Sequence, residues 1–306
     1  MITNLLDACN RRFISERHNK ACPNCKYTGY CPNTHGECES CLELVHYPSR
    51  LAESAPTRKY DCTHMADFYV CKYAHKYVSE LIYAFNMLRD LRTQQNINVL
   101  SFGCGPCTDL MALEYLRQTG AYNYTTLEYR GIDYGKDVWG NIHKDIKNAC
   151  SNGTQAKFAY EDAREVMGKL TTNRWIPNLV VFQYFFSDMY KNAETSEITS
   201  FINSFADYAN TKMPENSYIV LNDINLSTRY KGGREYFDKL LAMMNNCHHR
   251  RWYFHNNNAG RSAYPYGTQF DNNSLFFNDI SAYEFYNPYN SCSSAQMLIK
   301  KGGETA

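Results

Sequence analysis

The chain has 306 residues, 44% of them hydrophobic, and a formal net charge of +1. That length suffices for a full α/β domain with a smaller appendage, and so small a charge excludes a global electrostatic claim on nucleic acid or anionic membrane. No apolar run reaches the roughly 18 to 20 residues of a membrane helix, and residues 1–12 carry no signal-peptide core, so the expected location is cytoplasmic.

Eight of the 13 cysteines fall before residue 72. In a reducing compartment such a cluster binds metal more often than it forms disulfides. Cys22-Pro23-Asn24-Cys25 and Cys38-Glu39-Ser40-Cys41 are two Cys-x-x-Cys pairs separated by 12 residues. Two knuckles of that kind place four thiolates tetrahedrally around Zn2+. The segment between them is rich in Pro, Gly and Asn and poor in apolar residues, so the metal would supply its folding free energy. Cys31, His35 and His46 are close enough in sequence to replace one of the four, and an iron–sulfur cluster is the other reading of four thiolates. Residues 1–60 are therefore expected to form a cysteine-rich, zinc-binding module.

From Met65 to Leu88 the apolar and aromatic positions (Phe68, Tyr69, Tyr73, Tyr77, Leu81, Phe85) recur at helical spacing. Residues 61–95 read as a helical linker packing on the core. Cys71 and His75 share a face of that helix. With Cys62 and His64 they offer a second metal site, against which stands an ordinary core cysteine and a hydrogen-bonded histidine.

The stretch Asn98-Val99-Leu100-Ser101-Phe102-Gly103-Cys104-Gly105-Pro106-Cys107-Thr108-Asp109-Leu110 reads as a strand, a glycine turn and a helix start. Lacking a Cβ, Gly103 and Gly105 let the backbone turn sharply against a ligand. Cys104 and Cys107 add a Cys-x-x-Cys, the spacing of redox and metal pairs, with Cys107 at a helix N-terminus where a thiol pKa falls. About 28 residues on, Tyr129-Arg130-Gly131-Ile132-Asp133 ends a second strand in an acid, as a ribose-binding carboxylate does. A third strand is expected over 156–160, followed by Glu161-Asp162-Ala163. The apolar run Leu179-Val180-Val181-Phe182-Gln183 suits a strand buried on both faces, and 217–223 is a fifth. Arg251-Trp252-Tyr253-Phe254-His255 and Ala295-Gln296-Met297-Leu298-Ile299-Lys300 would close the sheet. The aromatic, Pro- and Asn-rich segment 256–294 between them reads as a loop-rich surface able to clasp an acceptor, or as a lid.

The order Gly-x-Gly turn, Ile-Asp, Asp-Ala and Leu-Val-Val-Phe strand resembles a class I S-adenosylmethionine-dependent methyltransferase over about residues 96–306. The resemblance implies a Rossmann-like α/β domain: a seven-stranded, mostly parallel sheet with helices on both faces and a final antiparallel hairpin. By position it implies that Gly103, Cys104 and Gly105 lie beside the methionine part of S-adenosyl-L-methionine. Asp133 would hold the ribose, Asp162 and Ala163 would flank the adenine, and Phe182 and Gln183 would line the cofactor face. Ser101 stands where the family has an acid, and Cys107 where it has a third glycine. Asp109 is then either the substitute carboxylate or an acid complementing the helix dipole.

Catalysis in the resembled fold comes from the tip of the fourth strand, here Gln183-Tyr184-Phe185-Phe186-Ser187-Asp188. That sequence lacks the Asn/Asp-Pro-Pro-Tyr of enzymes that methylate adenine or cytosine amino groups. Tyr184 is the candidate for orienting an acceptor and Asp188 for a base, with sheet packing and helix capping as the competing roles. A zinc module ahead of this fold is similar to the arrangement in some ribosomal RNA base methyltransferases. RNA therefore precedes protein and small molecules as the expected acceptor. A non-catalytic protein that senses a nucleotide or binds a partner through the same fold is the alternative, and a nicotinamide-dependent oxidoreductase the third reading.

Overall fold

The computed structural model describes residues 1–15, 35–46, 60–226, 232–255, 265–277 and 279–302. Three helices come first: α1 (Ile2–Ser15), α2 (His35–His46) and α3 (Thr63–Phe85). Strands and helices then alternate: β1 (Asn96–Phe102), α4 (Thr108–Gln118), β2 (Thr126–Ile132), α5 (Lys136–Ala149), β3 (Thr154–Ala159) and α6 (Ala163–Leu170). They continue with β4 (Leu179–Gln183), α7 (Phe185–Asn192), α8 (Thr195–Lys212), β5 (Tyr218–Ile224) and α9 (Glu235–Met243). The chain closes with β6 (Cys247–Tyr253), β7 (Thr268–Gln269) and β8 (Ser294–Lys301).

All eight strands join one sheet in the order β3-β2-β1-β4-β5-β8-β6-β7. The first five are parallel neighbours, while β8 runs antiparallel between β5 and β6. This is a mostly parallel, Rossmann-like α/β fold. One strand exceeds the seven expected. It is β7, two residues from the segment read as loop, paired parallel to Trp252 and Tyr253. A two-residue strand has no alternation to read in sequence. Phe270, which follows it, stacks on Phe254 with centroids 4.4 Å apart and anchors it to the sheet edge.

Alternate residues of each strand face opposite layers, as the pleat requires. Val99, Leu179, Val181 and Val220 pack in one hydrophobic cluster with α1, α3, α4 and α5. Leu100, Val180, Phe182 and Leu221 pack in another with α6, α7, α8 and α9. With helices covering both faces, the strands can be apolar throughout. The first cluster also takes in Leu5, Leu6 and Phe13 of α1 and most of α3, so both helices share one core with the sheet.

Nearly every residue of α3 is buried, including Glu80, which is 0% exposed. Its carboxylate is met from three directions. Tyr184 Oη donates at 2.8 Å, the Ser293 and Ser294 amides at 2.9 and 3.1 Å, and Asn222 Nδ2 at 3.2 Å. Lys76 Nζ lies 3.8 Å away, one turn earlier. The Glu80 carbonyl takes a further bond from Gln296 Nε2 at 2.7 Å. A buried charge so fully hydrogen-bonded ties α3 to β4, β5 and β8, and removing it strands all its donors. Glu80→Ala should lower the unfolding free energy by about 3 to 5 kcal/mol, read from denaturant melts.

Candidate active site

The C-terminal ends of β1, β2 and β4 converge on a pocket. In an open α/β sheet this edge is where ligands bind. After β1 the chain turns through Gly103 (φ 61°) and Gly105 (φ 43°), both in the left-handed region. At Gly103 a Cβ would also lie 3.0 Å from the Phe185 ring. The turn is held from below by Asp133 at the end of β2. One of its oxygens accepts from Gly105 N and the other from Gly135 N, each at 3.0 Å. The two features the sequence placed 28 residues apart thus meet through a hydrogen bond. Burial pushes the Asp133 carboxyl above its usual value, and the Gly135 and Gly105 amides pull the other way.

Gly103, Cys104, Gly105, Asp133, Ala163, Gln183, Tyr184 and Asp188 all border this pocket. Gln183 is fixed there: its Nε2 donates to the Tyr77 carbonyl at 2.9 Å and its oxygen accepts from Thr108 Oγ1. Three other expected residues lie elsewhere. Phe182 faces the opposite layer, stacked on Phe102 with centroids 5.1 Å apart, because its neighbour Gln183 takes the pocket side of the pleat. Asp162 caps α6, accepting from Arg164 N at 2.8 Å, and pairs with the Arg164 guanidinium, leaving Glu161 and Ala163 at the pocket. Asp109 is buried behind the turn, where Tyr129 Oη donates to it at 2.8 Å. Burial raises its carboxyl, and hydrogen bonds from Ser101 and Tyr129 oppose the rise. Ser101 and Asp109 therefore serve each other behind the pocket.

Residues that the sequence did not mark complete the walls. Tyr69 and Tyr77 reach in from α3, with Tyr60 before it and Trp139 from α5. Their only signal was the i, i+4 spacing of Tyr69, Tyr73 and Tyr77, which marks a helix face without saying what it faces. Those three rings form a compact cluster, with centroids 4.7, 5.3 and 6.0 Å apart, and Tyr77 packs on Tyr184 at 4.2 Å. Tyr184 has φ 55° at the bend from β4 into α7, and its hydroxyl is engaged by Glu80, so its ring is what the pocket receives. Tyr73 also stacks on Tyr289, 44% exposed, with Lys76 Nζ 4.8 Å and Lys72 Nζ 5.9 Å from that ring.

The charged side chains among the described lining residues are Asp133, Glu161 and Asp188; Glu161 is ion-paired with Lys169, which lies outside the lining. Asp188 sits in the first turn of α7 but does not cap it; Asp223 accepts from Ser187 N at 2.9 Å instead. Burial pushes the Asp188 carboxyl up to about 6, with Lys191 opposing and Asp133 and Asp223 reinforcing the rise.

Of the expected metal ligands, Cys22, Cys25 and Cys31 lie outside the described residues. Cys38 and Cys41 are one turn apart on helix α2, rather than in a turn, with Cys38 buried in the core. His35 belongs to the same helix. His46 hydrogen-bonds through both ring nitrogens, to Tyr60 Oη at 2.9 Å and Tyr73 Oη at 3.3 Å. Cys62, His64, Cys71 and His75 do not converge: Cys71 faces the Leu6 carbonyl at 3.8 Å, and His75 lies against Tyr283 and Phe277. Among the described residues, one group brings three metal-type ligand atoms together: Cys104, Cys107 and His143, within 4.8 Å of one another.

No protein-family model and no curated protein sequence matches the chain. Solved structures similar to it include the plantazolicin methyltransferase BpumL in complex with SAH, 12% identical, covering 87% of this chain and 97% of that one, with a TM-score of 0.44. A putative S-adenosyl-L-methionine-dependent methyltransferase from Methanococcus maripaludis is 11% identical over 83% of this chain and all of that one, with a TM-score of 0.45. A putative rRNA-methylase from Clostridium thermocellum is 12% identical over 75% and 98%, with a TM-score of 0.42. Every score lies below 0.5, so the fold rests on the strand order. No helix among the described residues is long and apolar enough to cross a membrane.

The raised Asp188 carboxyl has a stability consequence. Well below the ordinary carboxylate value it is protonated folded and unfolded alike and costs nothing; as pH rises from about 4 to about 6 the unfolded carboxyl ionises while the buried one keeps its proton, so the cost builds over that window and is complete above it. Asp188→Asn should be more stable than the parent chain by on the order of 2 kcal/mol at pH 7. The difference should shrink as pH falls from about 6 and vanish near about pH 3, as seen by calorimetry across that range.

Proposed function

We propose that this chain is an S-adenosylmethionine-dependent methyltransferase. The observation that carries the reading is the meeting of the Gly103–Gly105 turn with the Asp133 carboxylate at the end of a parallel sheet, beside an acidic, aromatic-walled pocket. Asp133 and Asp188 suit a cationic sulfonium ligand, whereas the pyrophosphate of a nicotinamide dinucleotide would meet repulsion there. The residues fit the group: the glycine turn admits close approach, Asp133 takes ribose hydroxyls, and Tyr134 and Trp139 offer aromatic faces. When bound, S-adenosylmethionine supplies an electrophilic methyl group.

The chain's own contribution is to position an acceptor and take up its proton. Tyr184 orients through its ring, held by Glu80. Asp188 is the base, its carboxyl raised towards neutrality. RNA is the acceptor we prefer: the Tyr69–Tyr73–Tyr77 cluster packs through Tyr73 on the exposed Tyr289, whose ring offers a stacking face to a base. We also assign Zn2+ to Cys22, Cys25, Cys38 and Cys41, supported by the one-turn spacing of the last two on α2. Elemental analysis of the purified chain should find about one zinc per chain; a folded, metal-free protein removes that assignment.

Calorimetric titration with S-adenosylmethionine and S-adenosylhomocysteine, then transfer of labelled methyl to RNA, protein and small-molecule fractions, tests the function. Asp133→Ala should weaken donor binding by about 1 to 3 kcal/mol, since it leaves polar groups of the site unpaired. Unchanged affinity would exclude the ribose role. Binding with no labelled product in any fraction would favour the non-catalytic sensing alternative.

A further inference from the structure

Beneath the glycine turn lies chemistry that methyl transfer does not use. Cys107 N donates to the Cys104 carbonyl at 2.7 Å, closing a four-residue turn around Gly105 and Pro106. Such a turn keeps its outer α-carbons within about 7 Å, the reach of a disulfide. The two sulfurs and a His143 ring nitrogen lie within 4.8 Å of one another. Cys107 holds φ 55° as the residue capping α4, a conformation that costs an L-residue energy and that glycine would adopt freely. Opposite, Gly131 leaves the space that Cys104 Sγ fills, since a Cβ there would lie 2.7 Å from the sulfur.

We propose that Cys104 and Cys107 form a redox-active pair, whose reversible disulfide in the wall of the pocket distorts the glycine turn and weakens ligand binding. The thiols are set apart from their neighbours. Burial pushes Cys9, Cys71 and Cys292 up. Burial would do the same to Cys107, but its hydrogen bond with Cys104 and the adjacent His143 outweigh it and bring the thiol down to about 7. Its place at a helix N-terminus favours the thiolate further. Cys104 borders the pocket, which gives a small oxidant a way in.

With hydrogen peroxide as oxidant, one thiolate attacks a peroxide oxygen, the O–O bond breaks, and water leaves behind a sulfenic acid. The second sulfur attacks that sulfur, the S–O bond breaks as the S–S bond forms, and a second water departs. Two thiols thus lose two hydrogens and two electrons, and peroxide is reduced to two waters. Metal binding by the same cluster fits less well. His143 donates through Nε2 to the Gly105 carbonyl at 2.7 Å and is hydrogen-bonded by Tyr160 Oη at Nδ1, so a metal would have to displace a proton already in use.

Closing the pair draws the sulfurs to about 2.0 Å. Gly105, inside the ring so formed, holds Asp133 through its N–H and His143 through its carbonyl, so the strain passes to the pocket floor. That the ligand affected is a methyl donor rests on the function proposed above; the disulfide itself does not.

The test uses the full chain, reduced and then treated with hydrogen peroxide, with excess removed by catalase. Peptide mapping should show the segment carrying both residues short of two hydrogens, restored by dithiothreitol. Binding of S-adenosylhomocysteine should fall by about tenfold or more in the oxidised chain and recover on reduction. Cys107→Ser, and Cys107→Gly as a variant relieved of the backbone strain, should bind alike before and after peroxide. Cys104 and Cys107 remaining thiols while other cysteines oxidise would overturn the proposal, as would a formed disulfide that leaves affinity unchanged. A reduced chain that binds no S-adenosylhomocysteine would instead count against the methyl-donor reading, with the peptide map still deciding the disulfide.

Discussion

One carboxylate organises the pocket. Asp133 accepts two backbone N–H bonds, from Gly105 in the turn after β1 and from Gly135 in the turn after β2. Each amide would otherwise point into the pocket without a partner, at a cost of about 1 to 3 kcal/mol. By joining the turns, Asp133 gives the mouth of the sheet a single shape, and the glycine φ values of 61° and 43° are the backbone conformations that shape requires. The carboxyl remains at the pocket surface, where its remaining lone pairs are available to a ligand.

The wall opposite the sheet comes from a part of the chain outside the alternating strands and helices. α3 contributes Tyr69 and Tyr77 to the pocket and Glu80 to the interior beneath it. Because Glu80 bonds to Tyr184, Asn222 and the amides of Ser293 and Ser294, the helix is locked to the tips of β4, β5 and β8. The positive φ of Tyr184 is strain held in place by that lock and by the Tyr77 ring. The aromatic cluster and the pocket edge of the sheet are thereby tied together.

The electrostatics follow from the same geometry. Asp133 and Asp223 are near enough to raise the cost of ionising Asp188, and Lys191, outside the pocket lining, offsets only part of what burial imposes. A pocket of that kind stores a preference for positive charge. Stability is given up for it, as binding sites commonly require.

Local order was legible in the chain because it depends on near neighbours: strand runs alternating with helix-length segments, the Gly-x-Gly turn after β1, and the acid ending β2. Sheet membership of 96–102, 179–183 and 218–224 follows from apolar runs that only a doubly covered sheet can bury. Tertiary packing decided what depended on distant partners. It turned Phe182 away and Gln183 inward through the pleat, moved Asp109 behind the turn to meet Tyr129 and Ser101, and gave Asp162 to a helix cap. It also brought His143, 36 residues beyond Cys107, against the two thiols, and added β7 to the edge. A sequence records which side chains can bond; which of them come within about 3 Å is set by the crossing of helices and strands remote along the chain.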